Sequence, residues 1–107
     1  MDYKCGTWKR LRLAVLRRDA YRCQECKRYG RFKDANVVHH VLPCEYFEQY
    51  EWEPWNLISL CTKCHDSMHS REKHLLSKRG MQVLERVALK NNIVVTEMEK
   101  NFLTKNF

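Results

Sequence analysis

The sequence predicts a small α+β domain in which short strands and helices gather around paired cysteines. Three observations lead there. Apolar residues recur at helical spacing in the first twenty residues and again after residue 80. Two short runs rich in branched aliphatic residues, Asn36–Val41 and Leu57–Leu60, lie between them. Two Cys-x-x-Cys pairs, Cys23/Cys26 before the first run and Cys61/Cys64 after the second, form a pattern suited to a chain whose core needs a staple. At 107 residues one domain is expected, spanning 1–107, with a core over about 8–79 and a C-terminal helical extension over 80–107. A hydrophobic share of 44% with 31% charged residues favours a folded chain over a disordered one. No apolar run approaches the ~20 residues of a membrane span, and MDYKCGTWKRLRL lacks the apolar stretch of a secretion signal. The expectation is therefore a protein with no membrane partner, in a reducing compartment where spaced cysteines serve as metal ligands more often than as disulfides.

Each element has its own signal. Thr7–Arg18 reads as a helix capped by Thr7, with Trp8, Leu11 and Val15 inward and Lys9, Arg10, Arg12 and Arg17 between them. Tyr29-Gly30-Arg31 reads as a turn. Asn36–Val41 is a strand that ends before Pro43, Cys44–Trp55 a long aromatic and acidic connection with a helical turn, and Leu57–Leu60 a second strand or turn. A helix is expected from about Thr62 to Ser77, broken at Gly80. Another should run from Met81 to about Lys90 and stop near Asn91-Asn92, with a short amphipathic helix over Thr96–Asn106.

Charge is unevenly placed. The net formal charge of +7 divides into +7 over residues 1–36, −3 over 37–65 and +3 over 66–107. Such a surface suits a polyanion such as nucleic acid, and equally an ordinary solvated face.

The cysteine spacing says more. A two-residue spacer lets one tight knuckle aim two thiolates at a single ion, and two knuckles complete a tetrahedral structural Zn2+ site with no open position. Redox-active pairs or buried free thiols are the competing readings. Cys5 and Cys44 are left over as plain small side chains. Four histidines lie close to the quartet. His65 and His69 stand at i and i+4 on the expected helix, a spacing by which two imidazoles share a metal. His39 and His40 are adjacent on a strand and so point to opposite faces; a bulge or the strand end would be needed for both to serve one site. His74 has no partner at ligand spacing. This grouping predicts a second, open metal or catalytic site beside the closed one.

Taken in order, Cys23-x-x-Cys26, Val38-His39-His40-Val41-Leu42-Pro43, Asn56-Leu57-Ile58-Ser59-Leu60, Cys61-x-x-Cys64-His65 and His69 strongly resemble the HNH endonucleases, with the segment Leu16–Cys23 similar to the family's usual lead-in. The resemblance covers about residues 8–79, is specific over 23–69, and is nearest in style to the small HNH proteins of bacteriophages. It implies a ββα-metal core of two antiparallel strands and a metal-bearing helix. It also implies that His40 is the general base, that Asn56 holds the base strand in place, and that His39, His65 and His69 hold a catalytic divalent metal. His39 stands where many members carry Asp. Three imidazoles without a carboxylate form a softer set than Mg2+ usually chooses, so Mn2+, Ni2+, Co2+ or Zn2+ are expected to serve ahead of Mg2+.

The implied reaction is hydrolysis of double-stranded DNA to 5′-phosphate and 3′-hydroxyl ends. One site per chain gives nicking by a monomer, or cleavage of both strands where two chains cooperate as a weak dimer. Lys9, Arg10, Arg12 and Arg17 are the expected DNA contacts, and Arg12, Arg17, Arg18 and Lys63 the candidates for a cation near the scissile phosphate. The resemblance further implies a bacterial host cytoplasm and phage terminase or other packaging proteins as partners. Two other readings share the zinc staple: a non-catalytic DNA-binding module, and a packaging or replication accessory that binds a partner through residues 81–107. A purely structural zinc module needs none of His39, His40, Asn56, His65 and His69.

Overall fold

A computed structural model describes residues 2–72 and 74–105 of the chain. They fall into two units, Met1–His65 and Asp66–Phe107. No helix among the described residues is long and apolar enough to cross a membrane.

In the first unit, helix α1 (Gly6–Arg18) buries Trp8, Val15 and Leu16 and leaves Lys9, Arg10, Arg17 and Arg18 outside, with Arg12 half-buried. Its cap is Cys5 rather than Thr7, because Cys5 Sγ accepts the Trp8 N–H at 3.4 Å. The leftover cysteine is thus a helix cap. Helix α1 ends in a Schellman closure, with Ala20 N–H donating to Arg17 O at 3.1 Å and Tyr21 N–H to Leu16 O at 2.8 Å. That closure holds Ala20 at φ 55° and Tyr21 at φ 56°, the left-handed region where glycine is usual. A short helix α2 (Gln24–Arg28), not expected from the sequence, starts inside the first cysteine pair. It closes the same way, on Gly30 at φ 76°, and confirms the turn there.

Strands β1 (Val37–His40) and β2 (Leu57–Leu60) pair antiparallel, from Val37 opposite Leu60 to His40 opposite Leu57. The pairing is regular, without a bulge. Two strands alone are marginal in water; here Trp8, Val15 and Leu16 of α1 pack with Val38 and Leu57 into one apolar cluster. Arg18 and Asp19 lock the end of α1 onto β2. Arg18 donates to the carbonyls of Pro54 (2.8 Å) and Leu57 (2.7 Å), while Asp19 Oδ2 accepts the Ser59 N–H at 3.1 Å. The long connection carries two single-turn 3-10 helices, Glu48–Tyr50 and Pro54–Asn56.

Helix α3 (Thr62–Ser67) begins as expected and ends ten residues early. Beyond it the backbone reverses instead of continuing: His69 bridges Leu76, Ser70 N–H donates to Leu75 O and Ser77 N–H to Met68 O. These bonds replace the helical ones and bury Met68, Leu75 and Leu76. Gly80, expected to break a helix, lies in the first turn of helix α4 (Lys78–Lys90), whose cap is Ser77. The glycine answers a close approach, because a Cβ there would collide with the Met68 carbonyl oxygen. Helix α4 stops at Asn91, and Asn92 at φ 58° completes a third Schellman closure through Ile93 N–H and Ala88 O. Helix α5 (Glu97–Thr104) starts in a reciprocal capping box between Thr96 and Glu99. The expected end at Asn106 lies outside the described residues.

Candidate metal centres and active site

The four knuckle cysteines converge. Cys23, Cys26, Cys61 and Cys64 are all buried, and their Sγ atoms lie within 4.8 Å of one another. Cys26 Sγ is 3.7 Å from that of Cys64 and 4.0 Å from that of Cys61. A tetrahedron of sulfurs at 2.3 Å from a central ion has edges of ~3.8 Å, so the donor set fits zinc. Cys23 and Cys61 each open a helix, accepting the N–H of the residue three further on at 3.5 and 3.4 Å. Burial opposes ionisation of Cys26, Cys61 and Cys64. At Cys61 the Cys64 N–H and the neighbouring thiols outweigh it and bring the group down to about 7, while burial pushes Cys64 to about 12 and raises Cys26 as well. Four thiolates this close need a cation to share their charge.

The histidines separate into two groups. Those of His39, His65 and His69 each offer a ring nitrogen, all within 4.8 Å of one another, and the His39 and His65 rings meet edge to face at 5.3 Å. His65 directly follows Cys64, and its N–H donates to Cys61 O at 2.9 Å, so the cysteine knuckle sets its position. His69 stands just past α3, in the bridge to Leu76, rather than on the helix as expected. Three neutral imidazoles suit a divalent transition metal and leave coordination positions for other ligands. His74 sits beside Glu72, at 3.7 Å.

His40 is the last residue of β1 and its ring takes the other side. Alternation along the strand is kept, and the strand end rather than a bulge carries this histidine. The ring stacks on Trp8 at 5.3 Å with 18° between planes, and Tyr3 approaches it edge-on at 6.2 Å. His40 Nε2 lies 3.0 Å from the Glu51 carbonyl. A carbonyl only accepts, so Nε2 carries the proton and Nδ1 keeps its lone pair. Burial holds the His40 pKa below the ordinary imidazole value, outweighing the Glu51 carbonyl and the carboxylates of Glu51 and Glu45 that push the other way.

Asn56 is fully buried and every polar atom of its side chain is used. Its Oδ1 accepts Leu42 N–H at 2.7 Å, and Nδ2 donates to the carbonyls of Leu42 and Tyr50, each at 3.1 Å. Leu42 lies two residues past His40, and Tyr50 immediately precedes Glu51. One amide therefore fixes both the backbone that presents His40 and the backbone that holds its Nε2. Replacing it with a side chain lacking these groups would strand buried backbone partners, at about 1–3 kcal/mol each.

The basic residues divide by occupation. Lys9, Arg10, Arg17 and Lys63 are exposed. Arg12 donates to Asn36 O at 3.0 Å, and Arg18 is committed to Pro54, Leu57 and Asp19. The sequence placed Trp8 in the core without revealing its stacking on His40. The Glu51 carbonyl left no signal, since a backbone atom has no residue type.

The model of the HNH endonuclease family matches residues 23–71, which include both cysteine pairs and the His39, His40, Asn56, His65 and His69 set. Among solved structures, the HNH endonuclease of the deep-sea thermophilic bacteriophage GVE2, crystallised with a manganese ion, is 38% identical. That match covers 60% of this chain and 70% of the phage protein, with a TM-score of 0.59. No curated protein matches. At 38% identity over 70% of that phage protein, with the family model spanning both knuckles and the histidine set, the chain belongs to the HNH endonuclease family and is a nuclease.

Proposed function

We propose that the protein is a divalent-metal-dependent DNA endonuclease in which His40 activates the attacking water. The observation that carries this reading is the fixed tautomer of His40: the Glu51 carbonyl takes the Nε2 proton, leaving Nδ1 as a base. Trp8 restrains the ring plane, and Asn56 restrains the backbone on both sides of it. His39, His65 and His69 would hold the catalytic ion; when bound, it supplies charge neutralisation at the phosphate and assistance to the departing 3′ oxygen. Zinc on Cys23, Cys26, Cys61 and Cys64 is structural in this reading. The all-imidazole set favours Mn2+, Ni2+, Co2+ or Zn2+ over Mg2+, in keeping with the manganese ion of the phage relative. Lys9, Arg10 and Arg17 would meet phosphates without reading sequence, joined by Arg12, whose guanidinium also holds Asn36 O. The products carry 5′-phosphate and 3′-hydroxyl ends. The likeness to a bacteriophage enzyme supports a role in phage DNA processing beside packaging proteins in the host cytoplasm.

Supercoiled-plasmid cleavage in Mg2+, Mn2+, Ni2+ and EDTA tests the assignment, with wild type set against His40→Ala and both shown to retain one zinc per chain. Metal-dependent nicking is expected from wild type, reduced about 10²- to 10⁴-fold in the variant. Equal nicking by both proteins would remove His40 from the mechanism. Zinc retention and DNA binding with no cleavage in any metal would favour the non-catalytic module.

A further inference from the structure

The two most exposed aromatic rings among the described residues, Phe32 at 71% and Tyr29 at 60%, stand three positions apart on the first cysteine knuckle. Both are more exposed than aromatic side chains usually are. Both are attended by cations: the Arg22 guanidinium lies 4.0 Å over the Phe32 ring, and that of Arg31 is 5.9 Å from the Tyr29 ring. Every exposed charged side chain from 21 to 33 is positive, the single acid, Glu25, being buried; Asp34 follows just outside. The backbone beneath is held firmly. Arg31 N–H donates to Cys26 O and Cys23 N–H to Lys33 O, each at 2.8 Å, so the loop carrying the rings is tied at both ends to the cysteine cluster.

We infer that this face of the knuckle binds an unpaired stretch of nucleic acid, stacking exposed bases on Phe32 and Tyr29 while the surrounding cations meet the phosphates. Solvated rings on a rigid frame, interleaved with Arg and Lys, are the parts of a single-strand platform. Arg22 lies over one face of Phe32, and the residue as a whole is 71% exposed. A duplex cannot use such a surface, because each of its bases is already covered above and below by its neighbours; a single strand, a flap or a frayed end can. This surface involves none of the histidines and none of the residues assigned above to duplex contacts. It deepens the nuclease reading by naming the state of the strand the protein prefers.

The test is fluorescence anisotropy of the full-length, zinc-loaded protein without added divalent metal. Three labelled probes are used: an oligothymidylate of about 12 nucleotides, an abasic strand of the same length and charge, and the matching duplex. Wild type should bind the thymidylate at least about tenfold more tightly than the abasic strand. The double substitution Tyr29→Ala/Phe32→Ala should erase that preference and leave the salt dependence unchanged, since the cations stay. Phe32→Leu, which keeps apolar bulk but no ring, should lose part of it. Equal wild-type affinity for thymidylate and abasic strands overturns the proposal, as does a double variant that keeps the preference while retaining its zinc. Because no cleavage is measured, base-dependent binding by a protein that never nicks plasmid would sink only the catalytic assignment. Nicking with base-independent binding would sink only this one.

Discussion

The cysteine cluster and the histidine set are built from neighbouring residues, Cys64 and His65 being adjacent, yet they are opposite kinds of site. The first presents four buried sulfurs at tetrahedral spacing and is complete in itself. The second presents three ring nitrogens within 4.8 Å of one another, which in the proposed reading hold an ion and leave positions for water and phosphate. What separates them is the number of donors and the charge they bring. Four thiols favour a permanent ion that contributes to folding, whereas three neutral imidazoles favour an exchangeable one that contributes to chemistry.

The largest expected effect sets one site against the other. Cys26→Ala should unfold the first unit, since structural zinc contributes about 10–16 kcal/mol of apparent binding free energy in small domains. His65→Ala should retain zinc and a cooperative melting transition while nicking falls at least a hundredfold. Metal content, circular dichroism and plasmid assay on the two variants check this, and a folded, active Cys26→Ala protein would erase the distinction.

A smaller effect concerns His40, the proposed base. Burial lowers its pKa, so the neutral base persists to lower pH than for a free imidazole. The nicking rate at saturating metal should therefore rise with pH and level off, with its midpoint below ~6.5. A midpoint at or above that value would mean the buried ring does not limit the rate.

The smallest effect belongs to the scaffold alone. Three helices close on the same motif, with Gly30, Asn92 and Ala20 in the left-handed position. Alanine there is disfavoured by about 1–2 kcal/mol, and the freer unfolded chain of a glycine variant offsets about 0.4–1 kcal/mol of the relief. Ala20→Gly should therefore raise stability by about 0.5 kcal/mol and leave nicking unchanged, as read by denaturant melts and the plasmid assay. A loss of stability would show that the Ala20 methyl has contacts worth more than the strain.

Much of this was legible in the residues. Leu57–Leu60 is a strand with the expected ends, and the knuckle cysteines meet as their spacing requires. Local chemistry decided both. The misreadings have two causes, backbone partners that compete with the helix and a side chain that caps one unexpectedly. Met68, Leu75 and Leu76 can be buried by a helix or by a reversed chain, and the bonds from Ser70 to Leu75 and from Ser77 to Met68 favour the reversal. Cys5 caps α1 through a thiol that the usual cap preferences rank low. At the site, the histidines announced themselves by type and spacing. The atoms that orient His40, the Glu51 carbonyl and the Trp8 ring face, did not, because one carries no residue identity and the other looked like ordinary core.

Gly80 shows how far such hidden constraints reach. It touches no ligand and no reacting atom, yet any larger residue would drive the start of α4 away from the carbonyl of Met68, and Met68 immediately precedes His69. In a survey of every substitution at every position, Gly80 would rank with the proposed metal ligands in intolerance, an apparent functional residue whose only function is to be small.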